Sequence, residues 1–161
     1  MLLSSILVVS CDNDDDDDNG SSIVGVWVSE KMPLYVQHQN ELVVSPTETS
    51  IGYYWYKEDG TFVEADVITN SQTNYTYTEL SENGKWSVVG DNVIQSTNFY
   101  ENYSNEFYTD TLKFKVSGNT LYINYIDPFN QEATAKLQRT TVEKIQEIIS
   151  SYKNRHNRDV Q

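Results

Sequence analysis

A single cysteine, Cys11, leaves this chain of 161 residues without an internal disulfide or a Cys-rich metal site. Histidine is almost as scarce. His38 and His156 stand far apart, and neither HxH nor HExxH spacing occurs, so no metal site is expected. Nor is there the nucleophile, base and orienting group that a hydrolase needs. Seven scattered glycines make no phosphate-cradling loop, and no cofactor is expected. Basic residues are few, with 11 Lys and Arg against 24 Asp and Glu. The resulting charge of −13 lacks the basic footprint that nucleic acid requires. The acids are also unevenly placed, because Asp12 and Asp14 to Asp18 put six carboxylates in seven positions. Three prolines and few alanines, set against twelve Tyr and three Trp, favour strands over helices. The length suits one domain with one core.

The N-terminus is organised differently from the rest. Leu2 to Val9 is a short apolar run, well below the ~20 residues that span a bilayer. It has the size of a signal-peptide apolar core, although no Lys or Arg precedes it. Val8-Val9-Ser10-Cys11 resembles the lipobox of bacterial lipoproteins, which implies a signal peptide over 1–10 and lipidation at Cys11. Residues 11–22 then form an acidic tether that cannot pack alone. Asp15-x-Asp17-x-Asn19-Gly20 formally matches the start of a calcium loop, but Val26 occupies the position of its bidentate Glu.

From 23 onward, tight-turn signals punctuate β-rich sequence: Asp59-Gly60, Gly90-Asp91-Asn92 and Gly118-Asn119. Their spacing of roughly thirty residues makes them alternate connections, at one end of a meander. The longer connections, 31–49, 70–81, 98–106 and 127–131, fall at the other end. The strands between are 23–30, 50–57, 61–69, 83–89, 92–98, 107–116, 120–126 and 132–139. Alternation is clearest where Leu112, Phe114 and Val116 interleave with Lys113 and Lys115. The fold class is therefore all-β: an eight-stranded antiparallel up-and-down barrel over 23–139, closed so that no edge is exposed. After Arg139 the period changes. Thr140 or Thr141 can cap a helix with Val142, Ile145, Ile148, Ile149 and Tyr152 on one face, and a polar tail beyond Lys153 that frays.

Gly25-Val26-Trp27 at the start of the barrel and Lys136-Leu137-Gln138-Arg139 at its end resemble the closing motifs of lipocalins. Glu58-Asp59-Gly60-Thr61-Phe62, Gly84-Lys85-Trp86-Ser87-Val88 and Gly118-Asn119-Thr120-Leu121 extend the likeness over roughly 23–139. It is to the lipocalin-like domains of Bacteroidetes-type lipoproteins. The resemblance implies Arg139 stacked on Trp27 across the barrel floor, and a lid over 31–49, where an extra strand pair is the alternative. It also implies an outer-membrane address. The acidic run behind Cys11 resembles the surface-export signal of those lipoproteins, so the chain is expected at the cell surface, with membrane contact through the lipid alone.

Aromatic residues gather at the long-loop end: Tyr53, Tyr54, Trp55 and Tyr56, then Phe99, Tyr100, Tyr103, Phe107 and Tyr108, and Phe129. In one reading, alternate members fill the core and the others cover the outer face. In the other, several line a mouth for a small apolar or sugar-like ligand. Tyr53, Trp55, Trp86, Tyr108 and Tyr125 are the candidate ligand-binding residues. Tyr108 is inward by parity with Leu112 and Phe114, and Trp86 by parity with Val88. The register of 50–57 stays open, because a one-residue slip exchanges Tyr53/Trp55 for Tyr54/Tyr56. Glu64/Asp66 and Glu79/Glu82 are paired acids that offer only a weak case for acid–base chemistry. The chain reads as a non-enzymatic, surface-anchored binder of a small, partly apolar ligand. The alternative is a protein-interaction or inhibitor module whose barrel is solid and whose loops bind a protein partner.

Overall fold

The computed structural model describes residues 22–38, 41–99 and 107–159; Cys11, the lipobox and most of the acidic tether lie outside them. Among the described residues the chain forms nine strands and one helix. They are β1 (Gly25–Ser29), β2 (Met32–His38), β3 (Glu41–Tyr56), β4 (Thr61–Asn70), β5 (Tyr75–Gly90), β6 (Val93–Phe99), β7 (Phe107–Ser117), β8 (Thr120–Ile126), β9 (Glu132–Thr140) and α1 (Val142–Asp159).

Every ladder is antiparallel, and β3 to β9 pair one after another in the order of the chain. Strand β1 closes the ring. Trp27 lies opposite Arg139 of β9 on one side and opposite Tyr54 of β3 on the other. The result is a closed barrel of eight strands, β1 and β3 to β9, as the turn spacing predicts. The three tight turns do lie at one end. Gly60, Asn92 and Gly118 adopt φ of 78°, 55° and 54° there, the left-handed region that Gly and Asn tolerate best. We call this end the floor.

Two connections at the opposite end differ from expectation. Residues 70–81 are not a long loop. The chain turns within Ser71–Asn74, with Asn70 Oδ1 accepting from the Gln72 and Thr73 amides, and Asn74 takes φ 55°. A turn built on asparagine, with no glycine, gives a weaker sequence signal. Tyr75-Thr76-Tyr77-Thr78 then pairs along β4 as β5. Of the two readings of 31–49, the extra strand pair is the one found in place of a simple loop: β2 pairs with the first half of β3, outside the closed ring. Their register breaks between Pro33 and Tyr35, and Pro46 sits in the stretch of β3 left unpaired with β2, where its missing N–H costs no ladder bond.

The core is two-layered. Inside the barrel, Ile23, Trp27, Tyr56, Phe62, Ile94, Leu121, Ile123 and Leu137 form one buried cluster. Outside it, Val26 and Val63 meet Ile145 of α1, with Tyr53, Trp55, Leu80, Val142 and Ile149 packed around them. Strands that are covered on both sides lose the in–out alternation of polarity. Helix α1 is capped by Thr141, whose Oγ1 accepts from the Lys144 amide at 3.4 Å. Full burial of Ile145 is worth about 2–3 kcal/mol. The helix continues to Asp159 rather than stopping near Lys153. Lys153 reaches Glu82 on β5 at 2.8 Å, and Arg155 donates to the Thr76 carbonyl at 2.8 Å, so polar residues hold the last turns.

Candidate functional site

The floor is sealed first. Residues 22–24 run beneath the barrel, where the Trp27 indole N–H donates to the Ile23 carbonyl at 2.7 Å. The Arg139 guanidinium carbon stands 4.2 Å from the centre of a Trp27 ring. Its two terminal nitrogens donate to the carbonyls of Val24 and Ser22, at 3.0 and 3.2 Å. Gly25 is required here twice over. Its φ is 136°, and a Cβ at this position would overlap the Arg139 guanidinium. Above this lid of side chains, Tyr56 packs on Phe62 with ring centres 4.7 Å apart and on Trp86 at 5.5 Å. The Trp86 indole donates to the Lys57 carbonyl at 2.9 Å.

The described residues do not fill the upper half of the barrel. A cavity of about 580 Å³ opens above Tyr56 and Phe62. Leu112, Ile123, Ala135 and Leu137 give the cavity apolar walls, and Met32 to Tyr35 of β2 cover it. Tyr35 meets Phe129 of the β8–β9 turn edge-on at 5.4 Å, joining this cover to the opposite rim. So 31–49 contributes strands and also roofs the cavity.

Polar groups enter that lining at a few points: Glu64, Asp110, the hydroxyls of Ser29, Ser50 and Ser96, and those of Tyr54, Tyr56 and Tyr125. No Lys, Arg or His is among the lining residues described. The field inside is accordingly negative. Burial, then the nearby Glu64 and Asp110, push the Tyr56 phenol far above its ordinary value. Tyr54 is raised by burial and then by Glu64 and Asp66. Asp66, half-buried and facing Glu79 across the β4–β5 ladder, is pushed up to about 6 by loss of solvent and by that neighbour. Tyr56 and Ser96 are 2% and 5% exposed, and neither hydroxyl has a hydrogen-bond partner among the described residues.

Of the candidate ligand-binding residues, Tyr125 lines the cavity. Tyr53 and Trp55 do not. They face outward into the cluster beneath α1, and Tyr54 and Tyr56 hold the inward register. Lys57 covers the outer face of Trp55, with its ammonium 4.3 Å from the ring centre. Trp86 packs inward but below the cavity, while Val88, its expected companion, is 54% exposed near the β5–β6 turn. The Tyr108 backbone pairs with Asn98, and its side chain lies outside the described residues. Of the paired acids, Asp66 faces Glu79 across the ladder, while Glu82 bonds Lys153 of the helix. Sequence reading did not place Asp110 in the interior, although it shares the parity of Leu112 and Phe114. Among the described residues no group of His, Cys, Asp or Glu is arranged to hold a metal ion.

At the level of fold, an eight-stranded antiparallel barrel with sealed floor and roofed mouth is consistent with a lipocalin-like architecture. Comparison with family models, with curated proteins and with solved structures returns no match.

Proposed function

We propose that the barrel binds a small, partly apolar ligand in the cavity beneath β2, without chemical turnover. We propose further that it does so as a lipoprotein of the Bacteroidetes type, anchored through Cys11 at the outer surface of the outer membrane. The observation that carries the binding reading is the cavity itself. About 580 Å³ lies within the size range of small-ligand sites, and it is walled by apolar side chains with a few hydroxyls and carboxylates. Buried hydroxyls without a protein partner cost roughly 1–3 kcal/mol each, which a ligand's polar atoms offset. The anchor rests on Val8-Val9-Ser10-Cys11 and on the acidic run behind it.

Titration with N-phenyl-1-naphthylamine, a neutral apolar fluorophore, tests the cavity. Saturable one-to-one binding is expected in the native protein. It should be lost in Ala135→Phe, whose ring fills the space while the rim stays unchanged. Absence of saturable binding to the native chain sinks the small-ligand reading and turns attention to protein partners. The anchor is checked separately, by incorporation of labelled palmitate that Cys11→Ser abolishes.

A further inference from the structure

We propose that the cavity selects a positively charged ligand: an organic ammonium ion on an apolar body, seated between Asp110 and Glu64 against the rings of Tyr54 and Tyr56. The inference rests on the binding reading above and names the chemical class of its ligand.

The first support is charge. The lining carries two carboxylates, Glu64 and Asp110, and among the described residues no Lys, Arg or His. An anionic ligand would add like charge beside the half-buried Glu64 and the exposed Asp110. A neutral one would cover the Asp110 carboxylate at the rim without bringing it a counter-charge. A cation offsets both costs. The second support is independent of charge. Tyr56, 2% exposed, is one of the residues lining the cavity, and its hydroxyl has no hydrogen-bond partner among the described residues. Its oxygen is an acceptor available to an N–H donor. Aromatic rings also attract an ammonium through their electron-rich faces, and Tyr54, Tyr56 and Phe62 bring three rings to one wall. The third support is the field on the same wall. Tyr54 and Tyr56 are both held protonated by burial and by neighbouring carboxylates. Asp66 adds further acid beside Tyr54. The apolar body of the ligand has its place against Leu112, Ile123 and Leu137.

Three probes of matched size separate the possibilities on the full chain by calorimetry: 5-phenylpentan-1-aminium, 5-phenylpentan-1-ol and 5-phenylpentanoate. The cation is expected to bind at least about tenfold more tightly than the alcohol, with the carboxylate weakest. Asp110→Asn and Glu64→Gln should each cut the cation's affinity by about tenfold and leave the alcohol's unchanged. If the alcohol or the carboxylate binds as well as the cation, or if neither substitution reduces the cation's advantage, the charge inference is overturned while ligand binding stands. If none of the three binds, both fall. Should either variant fail to fold, the ranking of the probes on the native chain still decides between these outcomes.

Discussion

Arg139 does three things from one position: it covers Trp27, it ties down the carbonyls of Ser22 and Val24, and it occupies the space a side chain at 25 would need. Arg139→Ala is expected to cost about 2 kcal/mol, the sum of a cation–π contact and two charge-assisted hydrogen bonds after solvent screening. Arg139→Lys should recover little of that, since an ammonium cannot stack and fork at once. Gly25→Ala should cost about as much, through positive φ and overlap together. Urea unfolding midpoints measure all three. Asp66 works in the opposite sense. Its carboxyl is pushed up to about 6 by burial and by Glu79, above the ordinary 3.8. A group held more readily protonated when folded favours folding below about pH 4, and that advantage is lost as pH rises through 6. Asp66→Asn is therefore expected to be the more stable protein at pH 7.5, by on the order of 2 kcal/mol, with a flatter decline from pH 4 to 6.5. A variant equal to the native chain across that range would refute the assignment. The Trp27–Arg139 pairing was legible because both residues sit in short motifs at opposite ends of the barrel sequence. The parity of Tyr53 to Tyr56 was not, because four consecutive aromatics carry no in–out signal when both faces are apolar.

At the scale of elements, the reason for that ambiguity is α1. By covering Val26, Val63 and Trp55, it turns the outer face of β1, β3 and β4 into a second core. Ile145→Ala should destabilise the fold by about 2–4 kcal/mol, the range for emptying a fully buried aliphatic site. Glu82→Ala, which frees Lys153, should cost under about 1 kcal/mol, since that ion pair is half-exposed. If the two variants rank the other way in thermal unfolding, the helix is held by its charged end rather than its apolar face. The helix itself was readable from its 3.6-residue period. Its last turns were not, since Lys153 and Arg155 gain their partners only through β5. Strand β2 stayed one of two readings for a related reason. Pro33 and the broken register beside it mimic a loop, and only pairing with β3 declares it a strand.

For the whole molecule, strand number and closure were legible because turn chemistry recurs along the chain. The cavity was not, because interior volume is a sum over all eight strands and no local pattern reports it. Parity alone did not decide between a packed and a hollow barrel. Both routes out of the barrel sequence leave by the sealed end: residues 22–24 pass under the floor, and α1 begins directly after β9 reaches it. The opening, roofed by β2 and the β8–β9 turn, is at the other pole. Ser22 and the start of α1 therefore share one pole of the barrel while the mouth of the cavity occupies the other, so the two ends differ in chemistry: an Arg over a Trp ring at one, hydroxyls and carboxylates leading inward from the other.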